Sequence, residues 1–508
     1  MFTNKLYNYF EMNNILTEMS YDKGDTLAMG RWFLPIVSKI SSVFSMPVIN
    51  GLICLFCLGI IACLIVDMLE IKGRICGALV GAILVSFPGV ASYLSYGVNS
   101  DVFSVALLLA VLSAWTLYKT KAVYIKKEKD DVIGVESVKI SNRIVGISAS
   151  AILLALCVAT YQPFMSVTIA LIFARLFLDI WNDGIGIKAF FKKFVLYLLS
   201  LLVGFVIYYI VLKIFNAVMN IEVGDYHGIN EMTSFSLKGI AKGFVYTYRY
   251  FAQYLFAGRY TGGFILAVWN GIVLCAFFFL AFAYKRTKNI ACLIFLVIFM
   301  PLGVNACPFL MADRVGNGVD RYMMFSMMIL FCLVIAMASR VEKEKLVPGV
   351  IYASILLAVI CNAYIINQGY FRADAMTKSE NNYLNRLVAR IEEYDEYSSE
   401  VPVYLLGADK LFNENTYTNP LFEELPIIDG TEIKPWYNYD AVVKYLEVYM
   451  NFTVNKVDAE TQDELDARAL ECGSKLNEMP TYPRKGSMDM IDGVLVVKLS
   501  QPEAEVEE

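Results

Sequence analysis

Long apolar runs alternate with short polar connections along most of the chain. Candidate membrane-spanning runs lie near residues 48–69, 75–93, 101–118, 143–160, 162–180, 193–215, 261–284, 289–308, 321–338 and 346–366. Each run is long enough to cross the ~30 Å hydrocarbon core of a bilayer as a helix. The pattern therefore predicts a mainly α, polytopic helical membrane protein with about ten transmembrane helices.

The pattern changes after residue 366. Helices are predicted near residues 379–394, 440–449 and 463–478, and strands at residues 401–406 and 494–499. This segment holds 13 Lys and Arg against 28 Asp and Glu, whereas the rest of the chain holds 30 against 20. We therefore predict three parts, which are an outer catalytic loop with an amphipathic interfacial helix (1–46), a transmembrane helical domain (47–366) and a small extracytoplasmic α/β domain (367–508).

Composition agrees with a membrane protein, because 57% of the 508 residues are hydrophobic and only 18% are charged. The positive charges also predict the orientation. Alternate connections hold 18 Lys and Arg, and the connections between them hold six. By the positive-inside rule, the richer side is cytoplasmic. The N-terminal loop, the loop before Asp101 and the C-terminal domain are then on the outer face.

The candidate chemistry begins in the polar stretch at residues 21–33. Asp22 and Asp25 are possible proton acceptors, and Arg31 is a group that could bind an anion at the membrane surface. An alternative role for Asp25 is to cap a helix that begins at Thr26. The sequence alone leaves both roles open.

Four further polar residues stand at the outer ends of predicted spans. They are the candidate substrate-binding residues Asp101, Gln162, Arg314 and Arg321. Polar groups at such positions are costly to maintain and are often functional. Each also has a structural alternative, namely a helix cap for Asp101, a turn residue for Gln162, and an interface anchor or ion-pair partner for the arginines.

Other classes of site find little support. Ten of the eleven cysteines lie in or at the ends of apolar runs, where small packing residues are expected, and His227 is the only histidine. No metal site is predicted. The chain lacks the glycine-rich phosphate-binding motifs of nucleotide-binding proteins, and we expect no nucleic-acid partner.

Several short motifs together resemble the GtrII-like glucosyltransferases, which are bacterial membrane enzymes of the GT-C type. The resemblance rests on Asp25 followed by residues 30–35 (GRWFLP), on Ser100-Asp101 before an apolar run, on Tyr161-Gln162, and on residues 479–498 near the C-terminus. It implies transfer of a glucosyl or other hexosyl group from a polyprenyl-phosphate sugar to a cell-surface polysaccharide or glycolipid. Such enzymes typically place an acidic catalytic residue in the first outer loop, which here is Asp25 or Asp22.

These expectations define a mechanism and its partners. Asp25 acts as the base of an inverting transfer, Arg31, Arg314 and Arg321 bind the lipid phosphate, and the apolar helix bundle in the lipid bilayer holds the polyprenyl chain. No cofactor is required, although Asp22 with Asp25 or Asp101 could hold a divalent cation. Because such enzymes normally have a spanning helix before this loop, we also expect an in-frame apolar stretch of ~20 residues upstream of Met1.

Two other function classes stay open. A flippase for lipid-linked oligosaccharides would usually show repeat symmetry with matching broken helices, and no such repeat is evident in the sequence. A surface polysaccharide polymerase would use the same lipid donors on the same face.

Overall fold

A computed structural model describes residues 23–41, 47–95, 99–120, 140–182, 184–221, 237–257, 264–285, 287, 289–310, 321–341, 346–408, 424–426 and 439–502. The chain divides into two compact units, residues 21–367 and residues 368–508. We describe each unit by itself.

The first unit is helical. Its helices are α1 (Lys23–Ala28), α2 (Leu34–Val37), α3 (Pro47–Met68), α4 (Arg74–Ser86), α5 (Pro88–Leu94), α6 (Ser100–Lys119), α7 (Ile140–Thr160), α8 (Met165–Trp181), α9 (Ile187–Met219), α10 (Leu237–Phe256), α11 (Phe264–Ala283), α12 (Ile290–Ile298), α13 (Met300–Val304), α14 (Cys307–Leu310), α15 (Met328–Ala338) and α16 (Leu346–Glu392), the last of which continues into the second unit. Short 3-10 segments occupy Ser38–Ser41, Gln162–Phe164 and Arg321–Met327.

Seven of the described helices are long and apolar enough to cross a membrane, and the bent pair α4 and α5 would make an eighth. The chain is therefore a mostly helical membrane protein, but the predicted count of about ten spans is not confirmed. The predicted span at 289–308 is divided into α12, α13 and α14, with Pro301 and Pro308 near the starts of the last two pieces. Proline lacks the backbone N–H that continues a helix.

The centre of this unit is α15, because all eleven of its residues are buried. Its sequence, MILFCLVIAMA, is apolar on every side, which is typical of a helix surrounded by other helices. Phe331 of α15 lies against Phe87, with 6.1 Å between their ring centroids. The residues before α15 form the 3-10 segment Arg321–Met327, so the first part of the span predicted at 321–338 is not an α-helix.

An ion network joins the helices at the end that the positive-inside rule places in the cytoplasm. The buried Asp179 carboxylate of α8 lies 2.9 Å from Arg175 and 2.7 Å from Lys193 of α9. Arg175 also lies 3.0 Å from Glu70, which follows α3, and Arg340, which follows α15, lies 3.5 Å from the same carboxylate. Because the partners come from four parts of the chain, the network fixes these helix ends to one another.

The second unit contains a four-stranded sheet in the order β2-β1-β4-β3. Strand β1 (Pro402–Leu406) pairs in parallel with β2 (Asn455–Lys456) and β4 (Val494–Lys498), while β3 (Met488–Ile491) pairs antiparallel with β4. Helices α17 (Tyr439–Met450), α18 (Ala459–Leu470) and α19 (Lys475–Glu478) complete it. The helix predicted at 463–478 is wrong as a single element, because Gly473 has a φ of 84° and separates α18 from α19.

Candidate active site

The backbone hydrogen bonds that end the short helix α1 fix the position of Arg31 relative to that helix. The Gly30 N–H donates to the Leu27 carbonyl at 2.9 Å, and the Arg31 N–H donates to the Thr26 carbonyl at 2.7 Å. Gly30 has a φ of +72°. These two bonds and the left-handed glycine form a Schellman motif, the usual glycine-dependent end of a helix. The sequence Met29-Gly30-Arg31 therefore stops α1 and turns the chain at Arg31.

Gln162 then joins Arg31 to the rest of the helical unit. Its side-chain Nε2 donates to the Met29 carbonyl at 2.7 Å, and its Oε1 accepts from Arg31 Nε at 3.1 Å. One amide thus satisfies a backbone acceptor and orients a guanidinium, although Gln162 and Arg31 are 131 positions apart. Two of the predicted site residues are therefore in direct contact.

Tyr208 of α9 holds the same turn from the other side. Its hydroxyl donates to the Gly30 carbonyl at 3.0 Å. A Cβ atom on Gly30 would lie 2.5 Å from that hydroxyl and 3.4 Å from Gln162 Nε2. Only glycine fits this position, because its φ is left-handed and its neighbours are in close contact. The turn before Arg31 is thus fixed by side chains from two different helical regions.

Aromatic contacts complete the surroundings of Arg31. The guanidinium carbon lies 5.2 Å from the centroid of the Tyr161 ring, which is a cation–π distance. Trp32 stacks on Phe215 of α9 with 5.8 Å between centroids, and the Phe33 N–H donates to the Ala159 carbonyl at 3.0 Å. The half-buried Arg31 is therefore held at the end of the bundle rather than extended on a free loop.

Asp101 lies in the first turn of α6 and is only 1% exposed. Asn99 occupies the cap position without a side-chain capping bond, and the Asp101 carboxylate interacts with the backbone N–H of Val102 in the first turn. The carboxylate lies beside the Ser41 hydroxyl, and its Oδ1 atom has no hydrogen-bond partner among the described residues. A buried carboxylate with an unsatisfied oxygen is costly, which favours a role beyond packing.

Ring contacts place Asp101 and Arg321 at the same end of the unit as Arg31. Phe103, two residues after Asp101, lies 4.6 Å from the Tyr161 ring that supports Arg31. Phe325, in the 3-10 segment that begins at Arg321, lies 6.0 Å from Phe164, two residues after Gln162. The elements that carry four predicted site residues thus meet at one end of the helical unit.

The other predicted residues are less fully described. Asp22 and Arg314 lie outside the described residues. Asp25 lies within α1, which begins at Lys23, so the alternative that Asp25 caps a helix beginning at Thr26 does not hold. Asp25 is thus five residues before the turn that Gly30 makes. Within the described parts of the chain, no group of three His, Cys, Asp or Glu could hold a metal ion.

Tyr208 was not among the predicted site residues. The only signal for it in the sequence is a hydroxyl within the apolar run Phe205-Val206-Ile207-Tyr208-Tyr209. A polar group within a span suggests a specific partner, but the partner is a backbone carbonyl that cannot be found from sequence.

The match to a protein-family model decides which family the chain belongs to. Residues 1–331 match the family described as Glucosyl transferase GtrII. The chain belongs to the GtrII glucosyltransferase family. The match covers α1 to α14, Gln162 and the described turn at Arg31. Comparisons with curated proteins and with solved structures returned no match.

Membership of the GtrII family confirms the resemblance read from the short motifs. A GtrII protein with seven candidate membrane spans is a membrane glycosyltransferase that takes a sugar donor and an acceptor. The matched region also contains the contact between Arg31 and Gln162, whereas the sheet of the second unit lies beyond it.

Proposed function

We propose that this GtrII protein transfers a glucosyl or other hexosyl group from a polyprenyl-phosphate sugar to a cell-surface polysaccharide or glycolipid. The observation that carries the proposal is the fixed position of Arg31, which Gln162, Tyr161 and the turn at Gly30 hold directly after the helix that contains Asp25. An acidic residue and a positioned guanidinium are the two groups that such a transfer needs.

Arg31 is the proposed group for the donor phosphate. A guanidinium binds phosphate oxygens through paired N–H donors and keeps its charge near lipid. The contact between Nε and Gln162 orients the plane of the guanidinium. The C1–oxygen bond to the polyprenyl phosphate breaks, and its electron pair stays on the phosphate, whose charge Arg31 stabilises. Arg314 and Arg321 are further candidates for the same task.

Asp25 is the proposed base, with Asp22 as the neighbouring alternative. The acceptor oxygen forms a bond to the anomeric carbon while its proton passes to the Asp25 carboxylate. A single displacement of this kind inverts the anomeric configuration, and its transition state resembles an oxocarbenium ion. Asp101 and Gln162 are proposed to bind substrate, and Gln162 does so through its hold on Arg31.

The active site and the second unit are proposed to face outward across the cytoplasmic membrane. The positive-inside rule supports this orientation, because the connections on the opposite side carry 18 of the 24 Lys and Arg of the predicted connections. The turn at Arg31, the start of α6 and the segment Gln162–Phe164 are all on the side with fewer positive charges. A donor in the outer leaflet would then present its phosphate at the depth of Arg31.

The experiment is Asp25→Asn, assayed with polyprenyl-phosphate glucose and membranes that contain the variant. The amide is nearly isosteric with the carboxylate but cannot accept the proton, so we expect transfer to fall by ~10²-fold or more. Asp22→Asn, run in parallel, decides which carboxylate is the base. Protein level and thermal stability in detergent should match the wild type. Transfer at the wild-type rate by Asp25→Asn would remove Asp25 from the mechanism.

A further inference from the structure

Several helices of the first unit break within predicted spans. Helix α4 ends at Ser86 and α5 starts at Pro88 with a bend of 48°. The span at 289–308 breaks at Phe299 and again at Asn305. Non-helical backbone at membrane depth is tolerated where protein buries it or where it lines a polar site, and broken helices often form binding sites in membrane proteins.

One helix, α10, contacts both breaks. Its Tyr254 stacks on Phe87 at the break between α4 and α5, with 5.6 Å between ring centroids. Its Phe244 lies 6.2 Å from Phe299 at the other break. Phe87 also lies 6.0 Å from Phe325 in the 3-10 segment Arg321–Met327. The broken elements are therefore neighbours around α10.

Four polar side chains on these elements are 0% exposed and have no hydrogen-bond partner in the described structure. They are Ser92 of α5, Thr247 of α10, Asn305 between α13 and α14, and Ser326 of the 3-10 segment. We name them the helix-break cluster. Both side-chain polar atoms of Asn305 are unsatisfied. Buried polar groups normally have hydrogen-bond partners. Four unsatisfied side chains on adjoining elements therefore indicate that a bound ligand supplies their hydrogen bonds.

Nearby serine and threonine hydroxyls donate hydrogen bonds to backbone carbonyls of their own helices, so the local geometry does not prevent such bonds. Ser95, on the same side of the α4–α5 break as Ser92, donates to the Ser92 carbonyl at 2.6 Å. Ser104 donates to the Ser100 carbonyl at 2.8 Å, and Thr160 to the Leu156 carbonyl at 2.8 Å. These are the usual bonds of serine and threonine inside helices. The hydroxyls of the helix-break cluster do not make them.

The chemistry of the helix-break cluster is neutral. Hydroxyls and an amide both donate and accept hydrogen bonds. Aromatic residues stand next to Ser92, Thr247 and Ser326 in the sequence, and the described charged residues of α10, Lys238, Lys242 and Arg249, are exposed. Such groups suit an uncharged ligand with many hydroxyls and apolar C–H faces, which describes a sugar ring. A phosphate would need cationic donors.

A chain of rings connects the helix-break cluster to Arg31. Phe325, next to Ser326, lies 6.0 Å from Phe164, and Phe164 lies 5.0 Å from Tyr161. Tyr161 is the ring beneath the Arg31 guanidinium. These rings are buried, so they show that the elements that carry Arg31 and Ser326 are neighbours in the bundle.

We propose that the helix-break cluster binds the sugar ring of the lipid-linked donor while Arg31 binds its phosphate. This inference rests on the proposed function, since that function supplies the donor. It adds the residues that recognise the sugar, which are neutral and lie on the broken helices, the 3-10 segment and α10 rather than on α1.

The test compares the binding of two probes to the purified full-length protein in nanodiscs. The probes are dodecyl-phosphate glucose and methyl dodecyl phosphate, which are both diesters with a single negative charge, so that the sugar is the main difference between them. The wild type should prefer the glucosylated probe. The double variant Ser92→Ala, Ser326→Ala should lose about tenfold of that preference while its affinity for methyl dodecyl phosphate is unchanged. Ser→Ala removes an unsatisfied hydroxyl and keeps the β-carbon, so it should not impair folding.

Ser95→Ala is the matched control, because Ser95 is also buried near the α4–α5 break but its hydroxyl is satisfied. It should keep the full preference for the glucosylated probe. Full preference in the double variant would show that water satisfies these hydroxyls and would overturn the inference. If the preference follows the prediction while wild-type membranes transfer no glucose, the sugar site stands and the proposed transfer is what fails.

Discussion

The substitution Gln162→Glu tests whether Arg31 binds the donor phosphate. The wild-type amide donates to the Met29 carbonyl at 2.7 Å and accepts from Arg31 Nε at 3.1 Å. The substituted carboxylate would still accept from Arg31, but it could not donate to Met29 when ionised. It would also place a negative charge at the guanidinium that is proposed to meet the phosphate.

The size of the effect follows from these two changes. A net neutral hydrogen bond contributes about 1 kcal/mol, and one to a charged group about 1.5–3 kcal/mol. If the carboxylate displaces one phosphate contact of Arg31, the loss of donor affinity is about 1.5–3 kcal/mol, which corresponds to roughly 10-fold to 150-fold. We therefore expect KM for polyprenyl-phosphate glucose to rise by at least tenfold, with a smaller change in kcat.

The assay measures initial rates with membranes that contain the variant and labelled donor at several concentrations. Gln162→Met is the matched control, because it removes both hydrogen bonds without adding charge. It should lower stability and rate more than donor affinity, since Arg31 loses its orientation but no anion competes. A KM within twofold of the wild type for a well-folded Gln162→Glu protein would refute the role of Arg31 at the phosphate.

Three further outcomes are expected. Chelation with EDTA should leave the transfer rate within twofold, because the proposed scheme neutralises the phosphate with arginine; a loss restored by Mg²⁺ would contradict it. Asp179→Ala should destabilise the protein by about 3–5 kcal/mol, because Arg175 and Lys193 lose a buried partner, and the loss is measured as a lower thermal midpoint in detergent. The control Glu464→Ala, in an exposed ion pair, should cost less than about 1 kcal/mol. Reporter fusions after Lys129 and Gly430 should be cytoplasmic and external respectively, and the reverse result would remove the basis for an outer active site.

The spans that hydropathy predicted well are the continuous ones. A stretch such as Pro47–Met68 is recognisable because membrane crossing depends on a local run of apolar residues. The run at 289–308 is also mostly apolar, yet its helix breaks at Phe299 and at Asn305. Average apolarity does not show where prolines such as Pro301 interrupt the backbone hydrogen bonds of a helix, and the predicted count of about ten spans is not confirmed in the described residues.

In the candidate site, too, some features could be predicted from the sequence and others could not. Arg31 and Gln162 could be chosen from sequence because polar residues are rare at the ends of apolar runs. Their contact could not be predicted, since it joins positions 131 apart and depends on how the helices pack. In the second unit, the turn at Asp492 and Gly493, with φ of 49° and 82°, matches a familiar hairpin signal that would have revealed β3.

The ion network and the Arg31 site together bear on the choice between a transferase and a transporter. A transporter that exposes one site alternately to two sides must separate its helices at both ends. Here the Asp179 carboxylate joins α8 to α9, and Glu70 joins the end of α3 to Arg175 and Arg340. Separating α8 from α9 would leave the buried Asp179 and Lys193 without this contact, which costs several kcal/mol, whereas the pairs of the half-exposed Glu70 add less. Glycosyl transfer needs access only at the end that contains Arg31, so the fixed opposite end favours chemistry over transport.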